Sequence, residues 1–140
     1  QDTGEVHFGY GDVTVGKPSD GSPRPNLTVN NTLVVAKDYK ETVSSDLSSS
    51  GDWYLTTANG TVQEVSLTGN IQIYAAGQSE IKPGHTLTIV IKDPHNGVLT
   101  SDLKWAGARK TLSTTPGVTD IITISNINGT HYASLANGFA

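Results

Sequence analysis

TLTIVIK, residues Thr86–Lys92, is the stretch that decides the fold. Because side chains alternate along an extended strand, Leu87, Ile89 and Ile91 fall on one face, and Val90 falls on the other face with the two threonines. Aliphatic side chains at a spacing of two residues are typical of a strand that lies against a core. The stretch therefore predicts a core strand, and the apolar Val90 on its second face predicts a subunit interface or a second sheet.

A second segment of the same character lies further along the chain, at Thr119–Ser125 (TDIITIS). Within it, Ile122 and Ile124 fall on the same face of the strand. Between the two segments, residues 102–107 (DLKWAG) carry Trp105, one of only two tryptophans. Large aromatic side chains usually contribute to core packing, so we expect Trp105 to cap the core. The residues predicted at core or subunit contacts are Val90, Trp105, Ile122 and Ile124.

The composition predicts an all-β protein. Only 35% of the 140 residues are hydrophobic, and the 15 glycines indicate many tight turns. No 12-residue window combines helical spacing of apolar residues with freedom from glycine, proline and β-branched runs. A chain with so little apolar content often completes its core by forming oligomers.

Turn signals divide the chain into roughly ten short strands at a spacing of about 8–12 residues, which is typical of an antiparallel β-sandwich of the jelly-roll kind or a related barrel. Asparagine-glycine pairs are strong hairpin signals, and they occur at Asn59-Gly60 and Asn128-Gly129. The serine-rich stretch Ser44–Gly51 is predicted as a loop. The pairs Gly69-Asn70 and Pro116-Gly117 predict further turns.

A linker is predicted near the N-terminus. Lys17–Pro25 (KPSDGSPRP) contains three prolines, a glycine and two serines, and has no capacity for a packed element. We therefore divide the chain into residues 1–25, an N-terminal arm or adaptor with a proline-rich linker, and residues 26–140, a β-sandwich head domain.

Charge and hydropathy argue against two classes of partner. The net charge is −4 and no basic stripe is present, so a nucleic-acid partner is not expected. No apolar run approaches the roughly 20 residues that span a bilayer, so membrane insertion is not expected.

Motifs for catalysis, cofactors or metals are not found. Cysteine does not occur, and the four histidines share no spacing typical of a metal site. The sequence contains no nucleophile elbow, no phosphate-binding glycine loop and no paired-carboxylate signature. We therefore predict a non-enzymatic protein without catalytic residues, cofactor or metal.

Asp120 is the one carboxylate that calls for an explanation, because it lies inside an apolar strand. Such a group must be exposed, hydrogen-bonded or paired. We favour a structural contact to a turn amide over a catalytic role.

Four segments carry a resemblance to a known family: Gly84–Lys92 (GHTLTIVIK), Leu103–Gly107 (LKWAG), Thr111–Ile124 (TLSTTPGVTDIITI) and Gly129–Ala133 (GTHYA). In their order and spacing they resemble the C-terminal domain of bacteriophage tail fibres and related tail-associated receptor-binding proteins. The resemblance covers roughly residues 26–139. It implies a homotrimer on the exterior of the virion that contacts host surface structures, and it supplies no catalytic residue.

Two functions follow as hypotheses. In the first, distal loops attach the virion to a bacterial surface glycan or protein, because loops on a rigid sheet are free to vary. The candidate loops are Ser44–Asp52, Asp93–Asp102 and Ala106–Lys110. The candidate contact residues within or beside them are Trp53, Asp93, His95, Asn96, Arg109 and Lys110.

In the second hypothesis the chain is a structural virion protein: a capsid decoration protein, a head fibre or a tail connector. It would dock on other virion proteins through its N-terminal arm and stabilise the particle. A glycan-degrading tailspike is disfavoured, since no carboxylate pair is apparent in the sequence.

Overall fold

The computed structural model describes residues 41, 43–74 and 81–140, all of which belong to one compact unit, Tyr39–Ala140. The described residues confirm the all-β prediction. Their elements, in chain order, are β1 (Val43–Tyr54), β2 (Val62–Tyr74), β3 (Thr86–Lys92), the 3₁₀ turn Pro94–Asn96, β4 (Leu99–Ser101), β5 (Lys104–Trp105), the 3₁₀ turn Ala106–Ala108, β6 (Thr119–Ile127) and β7 (Thr130–Phe139).

These strands form a single mixed sheet in the order β1-β2-β3-β6-β7-β5, with β4 beside β2. Antiparallel pairing, predicted throughout, occurs between β3 and β6 and between β6 and β7. The other four ladders are parallel, which the sequence did not predict. A two-sheet sandwich is not confirmed, because every described strand belongs to this one sheet.

The parallel ladders arise because the chain winds back on itself in successive turns. Val43 pairs with Val62 and Tyr54 with Tyr74, so β2 lies beside β1 with a displacement of 18 to 20 residues. The next winding of the chain consists of two strands, β3 and β4. β3 pairs with the first half of β2, and β4 pairs with its second half. A ladder of this kind places residues distant in sequence side by side on one face.

Asparagine and glycine hold the corner between β3 and β4, residues 93–98, against the middle of β2. Asn96 Nδ2 donates a hydrogen bond to the Leu67 carbonyl at 3.0 Å, and Asn70 Oδ1 accepts one from the Val98 backbone N–H at 2.9 Å. A Cβ on Gly97 would collide with the carbonyl of Gly69. Residues 93–97 therefore form a turn that packs directly on the middle of β2.

The core lies on one face of the sheet. In β2 the buried positions alternate along the strand. They are Gln63, Val65 and Leu67 in its first half and Ile71 and Ile73 in its second half. The core strand predicted at Thr86–Lys92 is confirmed with the same bounds, and its three aliphatics Leu87, Ile89 and Ile91 have no solvent exposure. Ile122 and Ile124 of β6 pair with Ile89 and Leu87 and are equally buried. Fully burying a side chain of this size stabilises a fold by about 1.5–3 kcal/mol, so this stack contributes substantially to the stability.

The last hairpin is confirmed, whereas the one predicted at Asn59-Gly60 is wrong. Asn128 and Gly129 have φ angles of 51° and 84°, as a tight turn between β6 and β7 requires. Asn59-Gly60 also lies in a turn, but the strands on either side of it, β1 and β2, run parallel. The buried Gln63 fastens this turn through bonds from its Nε2 to the Thr56 and Gly60 carbonyls, at 2.7 and 3.0 Å.

The prediction of a loop for the serine-rich stretch is also wrong. Ser44–Gly51 lies within β1, where the neighbouring strand β2 satisfies its backbone groups. Serine has little intrinsic preference for strands, but the tertiary contact overrides that weak preference. Two register shifts, between Ser44 and Leu47 and between Ser49 and Gly51, interrupt the regular pairing of β1 with β2.

Asp120 makes the structural contact that we favoured. It is fully buried. Its carboxylate accepts bonds from the Ser113 backbone N–H and hydroxyl, both at 2.7 Å, from the Gly138 N–H at 2.9 Å and from Asn137 Nδ2 at 3.0 Å. The carboxylate thereby joins β6 to the segment that precedes it and to the end of β7.

The predicted boundary between residues 1–25 and 26–140, and the linker at Lys17–Pro25, lie outside the described residues.

Candidate binding surface

A row of polar side chains crosses the outward face of β1, β2 and β4. Asp52 pairs in register with Gln72, and Gln72 pairs with Thr100. Their neighbours along the strands, Ile71 and Leu99, point into the core, so the three polar side chains point outward. We call Asp52, Gln72 and Thr100 the outward row. It brings a carboxylate, an amide and a hydroxyl into one line.

Two tyrosines continue the same face. Tyr54 and Tyr74 are register partners, and their rings stack with centroids 5.8 Å apart and planes 19° from parallel. The Tyr74 hydroxyl donates a hydrogen bond to Asp52 Oδ1 at 3.3 Å. Desolvation raises the pKa of Tyr74 above its ordinary value, and the negative charge of Asp52 raises it further, with a smaller contribution from Asp102. The tyrosine pair is thus tied to the outward row.

Two cavities flank Val98, a large apolar side chain with 62% of its surface exposed. The first has a volume of about 290 Å³, and the outward row lines it together with Asn70 and Gly51. The second, of about 210 Å³, is lined by Val98, Lys110 and neighbouring residues of the segments 97–99 and 110–114. Lys110 Nζ also donates a hydrogen bond to the Ser101 carbonyl at 3.2 Å. The surface therefore has the exposed Val98 between two concavities whose linings mix polar and apolar groups.

The six residues that the sequence suggested for receptor contact do not converge on one site. Asp93, His95 and Asn96 occupy the corner between β3 and β4, and all three are exposed. Lys110 lies on the second cavity beside Val98, whereas Arg109 lines a different cavity of about 430 Å³ next to Ser134 and Leu135. These assignments remain predictions.

The two tryptophans lie against the core, and both are partly buried. This placement agrees with the packing role expected for Trp105. Its Nε1 is buried and has no hydrogen-bond partner among the described residues. Trp53, suggested as a receptor contact, is held by the core on β1, while its neighbour Tyr54 points outward and is 43% exposed.

Sequence reasoning missed the outward row because its members are far apart in the chain. A signal was present nonetheless. The tetrapeptides GDWY at 51–54 and IQIY at 71–74 both end in tyrosine and lie 20 residues apart, and each places a polar residue two positions before its tyrosine. Without knowledge of the parallel pairing, this spacing alone does not indicate that the two tetrapeptides lie side by side on neighbouring strands.

The described residues lack two further features. They contain no group of three or more His, Cys, Asp or Glu side chains placed to hold a metal ion. Among their helical segments, none is long and apolar enough to cross a membrane.

Comparison with known proteins finds no match to the chain among family models, curated proteins or solved structures.

Proposed function

We propose that the chain is a non-enzymatic fibre protein on the exterior of a bacteriophage virion, and that it attaches the particle to the host cell surface. The ordered segments from Gly84 to Ala133 that resemble tail-fibre domains support the setting. The observation that supports a binding role is the face that carries the outward row, where exposed polar and aromatic side chains are fixed in register above a continuous apolar core.

A rigid face of this kind suits adhesion, because binding then requires little ordering of the protein. Side chains in a paired sheet keep their spacing, so the cost of arranging them falls on folding rather than on association. The face lies on the side of the wound chain, between β1 and β4. Attachment in this proposal therefore uses a strand face together with the corner loop at residues 93–98, rather than distal loops alone.

The proposed protein is a homotrimer. Support comes from the outward face of β3 and β6, where the apolar Val90 and Ile121 are register partners and are only half-buried. Packing this face against a neighbouring subunit would remove it from water. The two-layer arrangement that the sequence suggested would then form between subunits rather than within one chain.

Adsorption of the purified full-length chain to a panel of bacterial strains tests the attachment role. We expect saturable binding to a subset of strains, with light scattering reporting a mass of three chains. A folded trimer that adsorbs to none of a broad panel would overturn the attachment role.

Deletion of Gln1–Pro25 separates attachment from the structural alternative. If the truncated chain keeps its circular dichroism spectrum and still adsorbs to cells, binding belongs to the folded unit. If neither the full-length nor the truncated chain adsorbs to cells, and particles assembled with the truncated chain lose stability, the chain is a decoration or connector protein.

A further inference from the structure

The outward row has a fixed spacing that a ligand could use. Adjacent strands lie about 4.8 Å apart, so Asp52, Gln72 and Thr100 span about 10 Å across the ladder. The concavity beside them, at about 290 Å³, is near the lower end of small-ligand pockets, about 300 Å³. A ligand of this size, or one segment of a longer chain lying across the strands, fits the row.

The hydrogen-bonding capacity of the row suits a ligand rich in hydroxyl groups. The Gln72 amide offers two donor hydrogens and an acceptor oxygen, and its side chain forms no hydrogen bond with a described residue. The Thr100 hydroxyl donates to the Ile71 carbonyl at 3.4 Å, which leaves its oxygen able to accept. Asp52 accepts from Tyr74 and has further lone pairs on its two oxygens. A hydroxyl group, which both donates and accepts, can pair with all three.

Apolar groups flank the row on both sides. Tyr54 and Tyr74 lie on one side, and the exposed Val98 lies on the other. Tyrosine combines an apolar ring with a hydroxyl, as ligands with alternating C–H and O–H groups require. A purely apolar ligand would leave the outward row unpaired, which costs free energy when the row is buried.

Charge narrows the ligand class. The exposed Asp52 carboxylate lies at this end of the face, within hydrogen-bond distance of the Tyr74 hydroxyl, so a ligand meets a negative charge there. A polyanion such as a phosphorylated or uronic-acid polymer would be repelled here. An uncharged polyhydroxylated ligand would not.

We infer that the face formed by the outward row, Tyr54, Tyr74 and Val98 binds an uncharged glycan. This inference rests on the proposed attachment function and specifies the receptor class and the place on the fold where it binds. Gln72 is the central polar contact, and the tyrosines and Val98 contact the C–H faces of the sugars.

Glycan binding by the full-length chain tests the inference. The probes are immobilised neutral oligosaccharides from bacterial surface polysaccharides, with uronic-acid oligosaccharides and outer-membrane protein extracts beside them. Gln72→Ala should weaken binding to the neutral probe about three- to tenfold, as expected for losing one net hydrogen bond. Thr100→Val, which removes the hydroxyl with little change of shape, should act in the same direction.

Glu64→Ala is the matched control. Glu64 lies on the same strand as Gln72, points outward in the other half of β2, and forms a solvent-exposed ion pair with Lys92 at 3.7 Å. The affinity of this variant for a soluble, monovalent form of the neutral oligosaccharide, which does not depend on how many chains assemble, should equal that of the wild type. Equal affinities of the Gln72→Ala and Glu64→Ala variants, or preference for the acidic or protein probes, would overturn the inference.

Cell adsorption distinguishes this inference from the attachment role on which it rests. If Gln72→Ala and wild type adsorb equally to a susceptible strain, attachment stands and the glycan site on this face is wrong. If the wild type adsorbs to no strain and binds no neutral probe, both fail.

Discussion

At the scale of single residues, Asp120 shows how one buried carboxylate can tie three segments together. Asp120→Asn keeps the shape but presents an amide donor to the backbone N–H groups of Ser113 or Gly138. A buried donor left without an acceptor, together with the loss of a charge-assisted bond, costs about 2–4 kcal/mol. We expect that fall in the free energy of unfolding, measured by urea denaturation.

Asp93→Asn controls for the change of residue type. Asp93 is exposed and has a φ of 52°, which asparagine tolerates well. Its stability should stay within about 0.5 kcal/mol of the wild type. Equal stabilities of the two variants would contradict the role assigned to the buried carboxylate.

At the same scale, we expect the contact between Tyr74 and Asp52 to depend on pH. Its pKa is raised in the folded chain by desolvation and by Asp52, so the folded state holds the proton more tightly than the unfolded state. The contribution of this contact to stability is therefore fully present below the ordinary tyrosine pKa of about 10 and is lost as the pH rises through the higher folded value. Asp52→Asn should lower the pKa of Tyr74.

Ultraviolet difference spectroscopy of the tyrosines measures this shift. Tyr74→Phe identifies the late-titrating component by removing it, and Tyr132→Phe should leave that component in place. If the late component survives in Tyr74→Phe, the pKa has been assigned to the wrong residue.

At the scale of elements, the corner between β3 and β4 depends on close approach of two backbones. Gly97→Ala would drive a Cβ into the Gly69 carbonyl, so either the corner moves or β4 shifts away from β2. Overpacking of this kind costs about 1–3 kcal/mol. Thermal and urea unfolding should both show the loss.

Gly69→Ala is the matched substitution at this corner. A Cβ on Gly69 would meet only the Ser50 Cβ, at 3.4 Å, and its φ lies outside the left-handed region. We expect a much smaller effect than for Gly97→Ala. A reversed order of the two stabilities would show that the corner does not pack as described.

Elements whose signals are local were predictable, and elements that depend on distant partners were not. Thr86–Lys92 and the Asn128-Gly129 hairpin carry their own evidence in alternation and turn chemistry. The direction of β2 relative to β1 does not, because a turn at Asn59-Gly60 fits either a hairpin or a longer return path. For the same reason Ser44–Gly51 gave no sign of the strand that its neighbour induces.

The candidate surface was hidden for a related physical cause. Its residues become neighbours only through parallel register, at separations of 20 and 28 residues between Asp52, Gln72 and Thr100. No property of any one of them distinguishes it from an ordinary surface residue. Asp120 was predictable because its conflict with the surrounding strand is visible within a few positions.

At the scale of the whole molecule, the proposed trimer depends on the outward face of β3 and β6. Val90 lies between Glu64 on β2 and Ile121 on β6, and Ile121 pairs in turn with Ala136. The face is mixed rather than wholly apolar, which is compatible with the proposed subunit contact in a chain that is soluble before it assembles. Its apolar residues favour association without preventing a folded monomer.

Val90→Asp tests this assembly. An aspartate there would place a second carboxylate beside Glu64 and would be buried unpaired at a subunit contact, which costs several kcal/mol. We expect the mass measured by light scattering to fall to that of one chain. Val90→Thr guards against simple unfolding, since threonine preserves the β-branched shape and strand preference while weakening apolar contact. It should keep the circular dichroism spectrum and raise the concentration needed for assembly. Because the core face of β3 is untouched in both variants, an unchanged mass in both would show that this face is not a subunit interface.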